Sequence, residues 1–248
     1  MNDTEKNMCS EPVEEEAPSR NEVWKMFDRI AHRYDLLNRS LSFGQDVVWR
    51  KRMKRYLPDR ENLRLLDLAT GTADQLIYLS SDERIASGVG MDLAEKMLDI
   101  GREKIAQRGL DGKLRLQTGD AVKVPANDES ADVVTMSFGI RNVIAVSEAL
   151  AEMHRVLKPG GRALILEFSL PGNTMMRRLY LFYFRHILPW IGSLVSGDAY
   201  AYRYLNKTVE TFPYGEGFCE LMRAAGFSEV RAHPVTFGIA SIYQGDKE

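Results

Sequence analysis

The stretch Leu65-Leu66-Asp67-Leu68-Ala69-Thr70-Gly71-Thr72-Ala73-Asp74 decides how this chain folds. Leu63 to Leu68 is an apolar run of strand length that carries an acid near its end and passes into small residues. Apolar strands without polar alternation belong to parallel sheets covered on both faces. Small residues directly after the strand let a ligand approach the backbone without side-chain obstruction. In such sheets the ligand lies beyond the carboxyl ends of the strands, where the strand order reverses. The segment reads as strand, ligand loop and the start of a helix at about Asp74.

Downstream, strands and helices alternate. Further strands are expected at Gly88–Asp92, Leu114–Gln117, Asp132–Ser137 and Ala163–Phe168, with helices at about Ala94–Arg108 and Val146–Leu157, the last stopped by Pro159-Gly160-Gly161. A helix from about Gly215 to Ala225 precedes two runs, Glu229–Val235 and Ile239–Tyr243, expected to be antiparallel to one another. Upstream, Val23, Trp24, Phe27, Ile30, Ala31 and Tyr34 recur at helical spacing, with a polar break at Asn38-Arg39-Ser40 and a second helix at about Asp46–Tyr56. These two segments read as a cap. The expected fold is α/β and Rossmann-like, a mostly parallel sheet with C-terminal antiparallel strands. One domain is expected over residues 21–248, with an insertion at 174–212 and a disordered acidic tail at 1–20, where Glu11, Glu14, Glu15 and Glu16 cluster.

The chain of 248 residues has a net charge of −2, which offers no overall attraction to nucleic acid phosphates. Cys9 and Cys219, its two cysteines, make no disulfide framework, so a cytoplasmic setting is expected. His32, His154, His186 and His233 lack metal-ligand spacing, and no metal site is expected.

A dinucleotide fold requires glycines in G-x-G-x-x-G to seat a pyrophosphate, and here Gly71 alone stands in that loop. A nucleoside cofactor without pyrophosphate needs instead acceptors for an amino group, ribose hydroxyls and an adenine amine. Asp67 and Gly71 mark the first strand's end, and Asp92 ends the second, placed to accept from both ribose hydroxyls. Asp120 follows the third strand, positioned for the adenine amine with the Ala121 backbone against the ring and Leu93 as an apolar wall. Ser137 ends the fourth strand, facing cofactor or substrate. Such acceptors in order suit S-adenosylmethionine, and with it a class I methyltransferase fold.

Longer motifs carry a resemblance. Tyr34-Asp35-Leu36-Leu37-Asn38, Leu41-Ser42-Phe43-Gly44 and Trp49 resemble the Y-D-x-M-N-x-x-L-S-x-G-x-H-x-x-W signature of the ubiquinone/menaquinone biosynthesis C-methyltransferases. Ser137-Phe138-Gly139-Ile140-Arg141-Asn142 and Arg155-Val156-Leu157-Lys158-Pro159-Gly160-Gly161 resemble two more of that family's motifs, and the similarity covers about residues 23–245. Leu37 stands where the signature has Met, Asp46 where it has His, and Ala73 replaces a usual glycine. The resemblance implies cofactor contacts from Thr72, Asp92, Asp120, Ala121 and Ser137, and C-methylation of a prenylated quinol. Demethylmenaquinol is the first expectation, a ubiquinone-pathway benzoquinol the alternative. A non-catalytic subunit binding cofactor or prenyl lipid is the rival from another class.

Methylating a ring carbon requires an electron-rich ring, so the acceptor is expected to be reduced. Arg141 and Asn142 are the expected catalytic residues, holding the developing phenolate, with Tyr34 and Asn38 as substrate contacts. Leu179–Val195 is apolar and aromatic but carries Arg185, His186 and Pro189, which argue against a transmembrane helix. It reads either as a buried insertion or as a prenyl-tail lining or membrane-surface patch, with transient contact at the inner face of the membrane. The oligomeric state stays open, a homo-oligomer among the alternatives.

Overall fold

Every residue from Leu65 to Leu68 has a parallel partner on either side, Gly88 to Met91 on one and Val133 to Met136 on the other. The opening segment is thus the middle of the sheet. The computed structural model describes residues 23–187 and 208–248. The acidic tail, Trp190 and Tyr202-Arg203-Tyr204-Leu205 lie outside the described residues.

The strands are β1 (Leu63–Leu68), β2 (Ile85–Asp92), β3 (Leu114–Thr118), β4 (Ala131–Ser137), β5 (Leu157–Phe168), β6 (Ser228–Val235) and β7 (Ala240–Asp246). They form one sheet in the order β3-β2-β1-β4-β5-β7-β6. β1 to β5 are mutually parallel, and β7 runs antiparallel between β5 and β6. The chain winds outward from β1 to β3, then returns to β4 on the other edge of β1. That reversal opens a crevice at the carboxyl ends of β1 and β4.

Helices cover both faces. Leu66, Val134, Met136 and Ile165 point toward α5 (Val146–Val156) and α7 (Glu216–Ala224), whose Leu150, Met153, Phe218 and Met222 complete one core. Leu65, Val133, Leu164 and Ile242 point the other way, toward α2 (Gln45–Arg52) and α3 (Asp74–Ser80), where Trp49, Leu76 and Leu79 pack. The period of two along each strand sends neighbours to opposite cores, so both layers rest on one sheet. Truncating fully buried Leu164 to Ala would cost about 2–5 kcal/mol.

α1 (Val23–Leu41) packs on α4 (Glu95–Gln107). It runs unbroken through Asn38-Arg39-Ser40, where the polar residues had suggested a stop. The apolar stripe continues at helical spacing through buried Leu37 and half-buried Leu41, and the polar residues occupy the other faces. The turn comes at Phe43 and Gly44, both at positive φ. β5 likewise starts at Leu157, six residues before the expected Ala163. The Pro-Gly-Gly run is absorbed at a register shift opposite β4, with the Gly160 N–H donating to the Lys247 carbonyl (2.7 Å).

Candidate active site

The two loops that leave β1 and β4 touch. Ala69 and Phe138 both take left-handed backbone conformations (φ 49° and 59°), a costly choice for a residue as bulky as Phe. A Cβ on Gly139 would lie 2.6 Å from the Ala69 Cβ, so only glycine lets the loops approach this closely. On either side of this contact lies a cavity.

The first cavity, about 600 Å³, is lined by Gly71, Asp92, Leu93, Asp120, Ala121 and Asn142 among others. Asp92 accepts from the Gly71 N–H at one oxygen (2.8 Å) and the Ala94 N–H at the other (2.9 Å). A carboxylate offers about four lone-pair sites, so both oxygens keep capacity for a ligand's hydroxyls. Burial raises the Asp92 carboxyl's pKa, although these backbone bonds oppose it. Asp120 is held by the Val122 N–H (3.0 Å), and Leu93, 43% exposed, offers the cavity an apolar surface. The Asn142 Oδ1 is buried without a partner. These acceptors, the apolar wall and the glycine turn match what the amine, hydroxyls and ring of S-adenosylmethionine require.

Two residues expected at the cofactor are turned elsewhere. Asp67 lines neither cavity: it faces Thr135 in register and accepts from the Thr135 and Thr70 hydroxyls (2.5 and 2.6 Å). A strand's alternation drives that carboxylate into the helix layer, beneath the loop it was expected to serve. Thr72 also lines neither cavity; its hydroxyl donates to Asp35 (2.7 Å) and accepts from Lys104 (2.9 Å), in a cluster that ties α1 to α3 and α4. Ser137 does line the first cavity, but its hydroxyl is committed to the Gln75 Oε1 (3.0 Å).

The second cavity, about 560 Å³, is largely apolar and holds Tyr34, Asn38, Asp46, Trp49, Arg141 and Phe168 in its wall. Phe27, Tyr34 and Phe138 line both cavities and form the partition. Burial pushes the Tyr34 hydroxyl's pKa up, and the Asn38 side chain hydrogen-bonds it. Asp46, at the signature's His position, is buried and accepts from the Ser42 hydroxyl (2.9 Å).

Arg141 and Asn142 were expected to work side by side, yet they serve different cavities. They lie in a 3₁₀ turn, Ile140–Asn142, where successive side chains diverge by a third of a turn. Arg141 is 6% exposed, pairs with Glu167 (2.8 Å), donates to the Phe138 carbonyl (2.6 Å) and lies 5.3 Å over the Phe168 ring. Glu167 ends the second family signature but was given no role from sequence, although an acid inside an apolar strand was a legible signal. Phe27 gave no signal beyond apolar spacing and Phe138 none beyond its motif, because their role as a partition depends on two elements meeting.

In Leu179–Val195, α6 (Thr174–Phe182) and the following turn Tyr183–Ile187 are described. Phe184 is buried at 2% exposure in the cavity wall, as the reading of this segment as a buried insertion or tail lining expects. Exposed instead at the cavity mouth are Phe43, Leu179 and Phe182, with Phe237 beside Thr236. Among the described residues, no helix is long and apolar enough to cross a membrane.

The sequence model of the ubiE/COQ5 methyltransferase family matches residues 14–247. The chain is 46% identical over 222 residues to the demethylmenaquinone methyltransferase of Thermus thermophilus, covering 90% of this chain and all of that one. It is 44% identical to the ubiquinone/menaquinone biosynthesis C-methyltransferase UbiE of Geobacter sulfurreducens, over 90% of this chain and 87% of the other. Among solved structures, a SAM-dependent methyltransferase of Thermotoga maritima superposes with a TM-score of 0.64 at 20% identity, covering 91% of this chain and 99% of that one. At that identity the likeness speaks for the fold alone.

Proposed function

The chain belongs to the ubiE/COQ5 methyltransferase family, and on that premise we propose that it methylates a ring carbon of demethylmenaquinol to give menaquinol. The observation that carries this reading is the partition: a cavity with carboxylate acceptors and a more apolar cavity holding one buried arginine share Phe27, Tyr34 and Phe138. Such a pair suits a nucleoside donor on one side and a prenylated ring on the other. S-adenosylmethionine is the cofactor, and when bound it supplies an electrophilic methyl group, leaving as S-adenosylhomocysteine while the ring carbon gives up one proton.

The chain's own residues do the rest. Asp92 and Asp120 orient the donor, and Asn142 is reassigned to that side because it lines the first cavity. Arg141 sits in the apolar cavity as a fixed cation, placed to stabilise charge on a phenolate oxygen. A quinol hydroxyl has an ordinary pKa near ~10, so such stabilisation matters at neutral pH. Holding both partners across a thin aromatic wall supplies the alignment that bimolecular transfer otherwise lacks. The apolar mouth, with exposed Arg177 and Arg178 nearby on α6, fits acceptor uptake at an anionic membrane surface.

The test sets oxidised and dithionite-reduced 2-geranyl-1,4-naphthoquinone side by side with S-adenosylmethionine, with a reduced prenyl benzoquinone in parallel. Methylation of the reduced naphthoquinone alone, on carbon, is expected by mass spectrometry and NMR. Equal turnover of the oxidised ring, or a methyl on oxygen, overturns the mechanism. Preference for the benzoquinol, which the relatives with a ubiquinone name make the second reading, reassigns the substrate.

A further inference from the structure

Two buried donors on residues of the apolar cavity's wall have no hydrogen-bond partner: the Tyr180 hydroxyl and the Arg141 Nε. Both residues are more than nine-tenths buried, at 8% and 6% exposure. Other polar groups around the cavity are engaged. Tyr183 donates to the Leu41 carbonyl (3.0 Å), Trp49 to the Thr236 hydroxyl (2.7 Å), and that hydroxyl in turn to Gln45 (3.2 Å).

The orphans share one wall. Tyr180 stacks on Phe184 (ring centroids 5.3 Å, planes 29° apart), Phe184 lies 6.5 Å from Phe168, and the Arg141 guanidinium covers Phe168 at 5.3 Å. A continuous row of rings thus carries the two donors at its ends. Folded proteins rarely leave buried donors unpaired, because each forfeits its bonds to water. The missing partner must be an acceptor. Guanidinium has no lone pair to offer, and burial raises the Tyr180 hydroxyl's pKa against the opposing nearby charge of Arg141, so the phenol keeps its proton.

We propose that Tyr180 is a substrate-binding residue, its hydroxyl donating to a ring oxygen of the acceptor. The proposal rests on the quinol reading above and adds to it a contact supplied by α6, outside the signature motifs. It also assigns α6 a part in recognising an oxygenated ring, beyond enclosing an apolar tail. A ring oxygen held by this hydroxyl is bound more firmly as it gains charge, so the effect should appear in acceptor affinity and in turnover.

Tyr180→Phe keeps the ring and its stack while removing the orphaned hydroxyl. Binding of 2-geranyl-1,4-naphthoquinol under anaerobic conditions, without S-adenosylmethionine, should weaken by tenfold or more. kcat/KM should fall by at least as much, while S-adenosylmethionine affinity stays within twofold. The melting temperature should hold or rise, because the lost hydroxyl had no partner. An unchanged quinol affinity in Tyr180→Phe beside an active wild type overturns this proposal alone. A parallel loss of stability and of both affinities also overturns it, by making the residue structural. A wild type that neither binds nor methylates the quinol overturns this proposal together with the reading beneath it.

Discussion

Arg141 and Glu167 form a buried ion pair, Nη1 to Oε1 at 2.8 Å, linking the turn after β4 to the end of β5. The same Nη1 donates to the Phe138 carbonyl (2.6 Å), so the pair also steadies a residue held at positive φ. The cation proposed to face the acceptor is therefore part of the scaffold that shapes the partition. Arg141→Ala should lose turnover and, because Glu167 is left buried and unpaired, about 3–5 kcal/mol of stability. S-adenosylmethionine binding by the folded variant should change little. Denaturant melts and calorimetric titration separate the effects, and equal losses of cofactor affinity and turnover would reassign Arg141 to structure or cofactor binding.

Asp92→Ala should weaken S-adenosylmethionine binding by about 1.5–3 kcal/mol, the scale of a lost hydrogen bond to a charged group. The Gly71 and Ala94 N–H groups lose their acceptor as well, so the loop should loosen. Titration of a folded variant giving the wild-type dissociation constant removes Asp92 from the cofactor site.

Burial pushes the Asp67 carboxyl up to about 6, against the bonds from Thr135 and Thr70 that lower it. An unfolded aspartate ionises near ~3.9. Between those values the folded chain keeps a proton that the unfolded chain has released. Asp67's contribution to stability is thus complete below about pH 4 and lost as pH rises to about 6, a change of about 3 kcal/mol. Asp67→Asn cannot ionise, so its stability relative to wild type should grow by that amount between about pH 4 and about pH 8. Urea melts across this range check it, and a difference independent of pH means the carboxyl titrates normally.

Phe43 and Phe237 are 76% and 78% exposed, whereas Phe184 is 2% exposed. Replacing both exposed rings with Ser should change stability by about 0.5 kcal/mol or less at each site and reduce co-sedimentation with anionic vesicles. Phe184→Ala should instead cost about 3–5 kcal/mol through the cavity it leaves. Undiminished vesicle binding in the folded double variant counts against a membrane-facing mouth.

The sequence by itself determined the order of elements, the position of β1, the antiparallel final strands and the places of Asp92, Asp120 and Gly71 at the crevice. Each follows from local pattern: apolar runs bury strands, small residues open loops, and strand ends meet wherever parallel strands align. The tertiary structure alone decided which way side chains point once two elements approach. Asp67 and Thr72, neighbours of the crevice in sequence, turn into hydroxyl and ion-pair networks, while Arg141 and Asn142 part into separate cavities. Glu167, Tyr180 and Phe27 join the site from β5, α6 and α1. Their meeting depends on packing between segments far apart in the chain, which no local spacing encodes. A strand's period of two and a 3₁₀ turn's period of three set the direction of each side chain, and the partner waiting there is a property of the assembled fold.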